Sequence, residues 1–282
     1  MMATSDADDV LDALAAAALE VRAGFAGRRE KTDGQNASGD QQLHADLHAD
    51  DVLQNFLGGL DAVGEYASEE AETVQDVGDG PLSVSVDPLD GSSNLTANNP
   101  TGTIVGVYDA PLPAPGTDLV AAAYVLYGPL TTMVVARDGD VTRYAVTEAG
   151  RENPECVDLP SDPTVYGFGG RTPEWPESFA DYADDVEDDL KLRYGGAMVA
   201  DVNQVLTYGG VFAYPGLRER PEGKLRAQFE AAPMAYIVEC AGGASTDGSH
   251  SVLEIEPGDL HARTPVFLGN DELIQQAERA LA

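Results

Sequence analysis

Two carboxylates flanking a proline and a leucine, Asp87-Pro88-Leu89-Asp90, run directly into Gly91-Ser92-Ser93-Asn94. Carboxylates at the end of a rigid strand supply hard oxygen ligands for a cation such as Mg²⁺. A Gly-Ser-Ser turn that opens a helix offers backbone N–H groups to a phosphate oxygen. A cation site and an anion site within one short loop would suit phosphate chemistry. The same residues also compose an ordinary strand-to-turn connection, because Asp-Pro, Asp-Gly and Gly-Ser-Ser-Asn are common turn material. Spacing alone leaves both readings open.

The element that must position this loop lies just before it. Leu82, Val84 and Val86 alternate with Ser83 and Ser85, the two-residue period of a half-buried strand. That strand is expected to stop at Asp87, since Pro88 has no N–H for a ladder and holds its predecessor extended. Further upstream, Val10, Leu11, Leu14, Ala18, Leu19 and Val21 form a helical stripe, with Ser5 or Asp6 as cap. Residues 28–40 are polar, Gly-containing and aperiodic, which predicts a loop. Leu43, Leu47, Val52, Leu53, Phe56 and Leu57 give a second helix its apolar face. Strands are expected over 102–108, 119–126, 131–136 and 141–146, with Pro-Gly turns and Asp138-Gly139 between them. Pro111, Pro113 and Pro115 mark a rigid surface loop. The polar stretch 148–163 is the expected boundary, dividing the chain into domains 1–155 and 156–282.

A chain of 282 residues with 43% hydrophobic content can bury a sizeable core. Its 16 Lys+Arg against 49 Asp+Glu give a net charge of −33. Nucleic acid and anionic membranes are thereby excluded as partners, since either would need clustered basic residues. A phosphate ligand would need metals and a few well-placed cations. Hydrated carboxylates on a folded surface fit a salt-adapted protein of a high-salt cytoplasm. Cys156 and Cys240 lie far apart and have neither disulfide-framework nor zinc spacing. Residues 1–6 lack the basic and apolar regions of a signal peptide, and no apolar run reaches the ~18 residues of a membrane span.

Asp87-Pro88-Leu89-Asp90-Gly91-Ser92-Ser93-Asn94 resembles the signature of class I fructose-1,6-bisphosphatases, of a salt-adapted haloarchaeal type, within the lithium-sensitive, Mg²⁺-dependent sugar and inositol phosphatases. Taken alone, Asp40 and Asp46 are surface carboxylates, and the neighbours Glu69 and Glu70 would both face water. The resemblance gathers them. Ser68-Glu69-Glu70 matches the family's Ser-Glu-Glu, and residues 34–41 resemble its mobile catalytic loop, with Gly39-Asp40-Gln41 in place. Lys191-Leu192-Arg193-Tyr194 through Met198-Val199-Ala200-Asp201, then Tyr208 to Pro215, then Lys224-Leu225-Arg226, Glu230 and Pro233-Met234-Ala235-Tyr236 follow in the family's order.

That resemblance implies a layered α-β-α-β-α fold of two domains and hydrolysis of the 1-phosphate of fructose 1,6-bisphosphate, a step of gluconeogenesis. It implies Glu69, Asp87, Asp90, Glu230 and the Leu89 carbonyl as ligands of Mg²⁺, with Mn²⁺ as substitute. Asp40 would arrive with its loop, while Asp46 and Glu70 activate the water. Gly91, Ser92 and Ser93 would hold the scissile phosphate, Lys224 and Met198 the sugar, and Tyr194 and Tyr214 the 6-phosphate. Arg193 would come from a neighbouring subunit of a homo-oligomer, dimer or tetramer. Arg226 joins this substrate-binding set as one of only 16 basic residues.

The chain also departs from the family pattern. Tyr166-Gly167-Phe168-Gly169-Gly170-Arg171 stands where the family has Asn-Glu-Gly-Tyr, and Gly80-Pro81-Leu82 where AMP-regulated members have a Lys-Tyr pair, so no AMP inhibition is expected. Two rival functions remain: another phosphatase of the superfamily, acting on inositol phosphate, nucleotide 3′-phosphate or sedoheptulose bisphosphate, and a non-catalytic cation or sugar-phosphate binding protein.

Overall fold

The computed structural model describes residues 2–35 and 41–282. Five layers alternate helix and sheet. Helices Met2–Ala23 and His44–Leu57 cover one face of an eight-stranded sheet. Its strands run, edge to edge, 150–156, 140–147, 131–137, 119–127, 101–108, 82–90, 63–68 and 75–76. Every neighbouring pair is antiparallel except 63–68 with 82–90.

The strand period of two decides which layer each residue serves. Val105, Val107, Ala121 and Ala123 pack towards the first helices, while Ile104, Ala122, Tyr124 and Val134 pack towards helices Met198–Tyr208 and Ala232–Cys240. Those helices in turn lie on a five-stranded sheet ordered 191–192, 165–168, 210–214, 266–269, 244–246. Its far face carries Tyr166, Phe168 and Phe267, closed by helices Glu177–Asp189 and Asp271–Leu281 through Phe179, Tyr182, Ile274 and Ala277. The layered α/β expectation holds. No helix among the described residues is long and apolar enough to cross a membrane.

Some local expectations need correction. The strand expected to end at Asp87 runs Leu82–Asp90, straight through Pro88. Its register slips between Asp87, opposite Ile104, and Asp90, opposite Gly102. A bulge there leaves Pro88 without a ladder bond to donate, and Thr103 Oγ1 donates to its carbonyl at 2.8 Å. The strand is also buried along its whole length rather than half-buried, because helices cover both sheet faces. Its polar residues find partners: Ser83 Oγ donates to Glu65 Oε2 at 3.0 Å and Ser85 Oγ to the Gln228 carbonyl at 3.0 Å.

Within the expected loop 28–40, Lys31–Gln35 is a strand paired antiparallel with Gln41–Leu43. Cross-strand pairing rather than periodicity makes that hairpin, so a polar stretch hides it. The first helix begins at Met2, ahead of the expected caps. Gly150–Cys156, inside the polar stretch expected to link the two halves, is the edge strand of the first sheet.

Candidate active site

A cleft of about 400 Å³ opens where strand Leu82–Asp90 meets the second half of the chain. Asp87, Asp90 and Glu230 bring one carboxylate oxygen each to within 4.8 Å of one another. All three are buried. The bulge aims Asp87 and Asp90 at this point although they lie three residues apart on the strand.

Glu230 comes from a different device. Residues Ala227–Ala231 form a π-helical turn, whose wider winding lies at the start of helix Ala232–Cys240. Glu230 Oε2 accepts from the Arg226 N–H at 2.7 Å. The carbonyl of Gln228, in the same turn, is held by Ser85 of the strand, so the turn is pinned to the sheet that carries Asp87.

Burial raises the proton affinity of all three, and repulsion adds to it at Asp87 and Asp90. Asp87 is pushed well up by burial and then by Glu69, Asp90 and Glu230. Asp90 rises to about 7 by burial and the charge of Glu230, opposed by N–H groups of Val199 and Met198. Glu230 rises by burial, opposed by Arg226. Three converging oxygen donors with no His or Cys among them, each ionised at a cost, fit a hard divalent cation.

Glu69 lines the cleft outside this trio, with Arg226 Nη2 at 3.5 Å from Glu69 Oε1. Leu89 lines it too, its N–H donating to Asp87 Oδ1 at 3.0 Å. Asp46, in the first turn of helix His44–Leu57, accepts from the Leu43 N–H at 2.5 Å and is raised to about 6 by burial. Glu70 rises to about 7, first by burial and then by Asp46 and Asp50, while a hydrogen bond from Gln42 opposes. Asp46 and Glu70 thus sit side by side with proton affinities near neutrality. Asp40 lies outside the described residues.

Gly91, Ser92 and Ser93 line the cleft next to Asp90. Gly91 has φ +69°, and a Cβ there would meet the Ala197 Cβ at 2.4 Å, so only glycine lets the two segments close. Tyr194, Met198, Tyr214, Lys224 and Arg226 complete the wall. Lys224 Nζ stands 5.5 Å from the Tyr214 ring centroid. Arg226 is buried against Glu69 and also donates to the Lys224 carbonyl at 3.0 Å. Arg193 is exposed and is not among the residues lining this chain's cleft. Arg171, near the departed segment, pairs with Glu174 at 3.9 Å and lies outside the lining as well.

The cleft also holds residues that sequence reading passed over. Gln42 is buried and donates to Glu70 Oε2, and Lys31 lines the wall, as does Asp201, which the sequence placed in a family-like segment without a role of its own. Its place directly before the apolar face of a helix is the one signal that could have found Gln42.

Comparison with known proteins agrees over the whole chain. A family model described as the N-terminal domain of fructose-1,6-bisphosphatase matches residues 10–151, and the corresponding C-terminal domain model matches residues 159–282. A class 1 fructose-1,6-bisphosphatase of Halobacterium salinarum is 60% identical over 277 residues, covering 97% of this chain and 96% of that protein. The class 1 enzyme of Natronomonas pharaonis is 57% identical, covering 97% and 98%. The crystal structure of Leishmania major fructose-1,6-bisphosphatase in holo form superposes with a TM-score of 0.91 at 30% identity, covering 98% of this chain and 94% of that one. Converging carboxylates, a glycine-serine loop and these full-length matches lead to one conclusion: the chain belongs to the class 1 fructose-1,6-bisphosphatase family.

Proposed function

We infer that this protein is a phosphoric monoester hydrolase that converts fructose 1,6-bisphosphate to fructose 6-phosphate and phosphate. Full-length identity of 54–60% to haloarchaeal class 1 enzymes supports the substrate, and the buried trio Asp87, Asp90 and Glu230 carries the chemistry. The family depends on divalent metal. The specific ion is Mg²⁺, for which Mn²⁺ can substitute, held by Glu69, Asp87, Asp90, Glu230 and the Leu89 carbonyl. When bound, it supplies positive charge to the phosphoryl oxygens and the departing alkoxide, worth several kcal/mol at the transition state.

The chain's own groups do the rest. Gly91, Ser92 and Ser93 orient the 1-phosphate with main-chain N–H groups and hydroxyls. Asp46 and Glu70 accept the proton of the attacking water, a task suited to carboxylates raised to about 6 and about 7. The water oxygen bonds to phosphorus, the bond from phosphorus to the C1 oxygen breaks, and the freed alkoxide takes up a proton. Lys224 and Met198 hold the sugar, and Tyr194 and Tyr214 the 6-phosphate. Arg226, tied to Glu69 in this chain, bears on substrate through the metal ligands it steadies.

Arg193, exposed on its own subunit, reaches the site of a neighbour in a homo-oligomer. The two domains are 1–155 and 156–282, with the cleft between them. The net charge of −33 and the haloarchaeal relatives support work in a salt-rich cytoplasm.

The test is phosphate release in molar KCl from a panel: fructose 1,6-bisphosphate, sedoheptulose bisphosphate, inositol monophosphate and a nucleoside 3′-phosphate. Highest kcat/KM on the fructose ester is expected. Preference for another member would transfer the protein to a sister activity, and no release with any ester in Mg²⁺ or Mn²⁺ would make it a binding protein.

A further inference from the structure

Beside Asp90 the wall of the cleft is a short turn, Gly195-Gly196-Ala197, between Tyr194 and helix Met198–Tyr208. A turn with two glycines has little reason to hold one shape by itself. Here it is fastened from three sides. Asp90 takes the N–H groups of Met198 at 3.2 Å and Val199 at 2.7 Å, one on each carboxylate oxygen. Asn94 Nδ2 donates to the Gly195 carbonyl at 3.0 Å and to the Pro100 carbonyl at 2.9 Å. Asp201, from the first turn of the helix, reaches back so that Oδ1 accepts from the Gly195 N–H at 2.6 Å and Oδ2 from the Gly196 N–H at 3.1 Å.

Asp201 is 2% exposed, and both its oxygens are committed to main-chain N–H groups of the turn. Among the three fasteners, Asp90 belongs to the acidic trio and Asn94 to the loop behind the serines. Asp201 alone comes from the helix that follows the turn, which Tyr194 and Met198 flank. Gly196 sits at φ +81°, a conformation that the two charge-assisted bonds keep in place.

We propose that Asp201 is a positioning residue for substrate recognition: by fixing the Gly195–Ala197 turn it sets where Tyr194 and Met198 meet the sugar and its far phosphate. The proposal rests on the reading of the cleft as a sugar-bisphosphate site. Asp201 is not one of the acidic trio, although its charge reaches Asp90, so its loss acts first on how the substrate is held.

The experiment compares wild type, Asp201→Asn and Asn94→Ala on fructose 1,6-bisphosphate and on p-nitrophenyl phosphate, an ester without sugar or second phosphate. Asparagine keeps the size but turns one acceptor into a donor facing a main-chain N–H. The expected result is a KM for the bisphosphate raised about tenfold in Asp201→Asn with kcat within about twofold, unchanged kcat/KM on the small ester, and an unchanged Mg²⁺ concentration for half-activation. Asn94→Ala, which frees the turn from the other side, should raise the same KM and keeps the test open should Asp201→Asn fail to fold. Equal losses on both esters, or an unmoved KM in either folded variant, would overturn the proposal. A wild-type protein that turns over the small ester but not the bisphosphate would instead overturn the substrate reading.

Discussion

The two ends of the cleft are built from opposite materials. At the acidic end, Asp87, Asp90 and Glu230 are nearly free of solvent and hang from a bulged strand and a π-helical turn cross-tied through Ser85. At the other end, Tyr194 is 43% exposed, Lys224 is exposed, and both belong to segments next to glycine-rich turns. Groups that repel one another must be held by rigid elements, because the local chain would otherwise relax them apart. A far phosphate is attracted to what binds it, so exposed side chains suffice there, with the turn beside Tyr194 pinned by Asp201. On the proposed reading, the buried end would set the chemistry and the exposed end which ester is accepted.

The largest effect should come from breaking the rigid end. Asp90→Asn removes one oxygen donor of the trio and weakens the tie to Met198 and Val199. Turnover should fall by about a thousandfold or more, with the circular dichroism spectrum unchanged in molar KCl. Near-normal turnover would dissolve the distinction between the two ends. Next comes the pair beside it: Glu70→Gln should lower kcat by about a hundredfold or more at unchanged KM, read from initial rates of phosphate release.

A third prediction uses the unfavourable packing of acids. Burial raises Asp87, Asp90 and Glu230 above their ordinary range, with Asp90 at about 7. Folded and metal-free, they bind protons more tightly than in the unfolded chain. Their contribution to stability is therefore complete below about pH 4 and is lost as pH rises through their raised folded-state values, about 7 for Asp90. Metal-free protein at constant salt should melt at a lower temperature at pH 8 than at pH 6, and Mg²⁺ should raise Tm more at pH 8. Calorimetry checks this; a Mg²⁺ response of the same size at both values would deny the trio its role.

The smallest effect belongs to the exposed end. Lys224→Met should raise the KM for the bisphosphate several-fold while kcat stays within about threefold. A collapse of kcat would mean that this end also shapes the phosphoryl chemistry.

What the sequence disclosed follows the same division. The strand carrying Asp87 and Asp90 was legible from Leu82, Val84 and Val86, and the acidic residues from a family order that no spacing could supply. The passage through Pro88 was not, because a bulge depends on register with the strand 101–108. The hairpin of Lys31–Gln35 escaped for a similar reason, being polar and made only by pairing. Asp201 was visible as the last residue of a family-like segment, but nothing local marked its carboxylate as turned back onto Gly195 and Gly196. Periodicity reports which face a residue serves, whereas long-range ties and main-chain partners become apparent only in three dimensions.

The most direct measurement of the central claim is anomalous diffraction from crystals soaked in Mn²⁺. The expected result is a peak at ~2.0–2.5 Å from carboxylate oxygens of Asp87, Asp90 and Glu230 together, the distance range of hard-cation ligation. Peaks confined to surface carboxylates, with none between these three, would contradict the account.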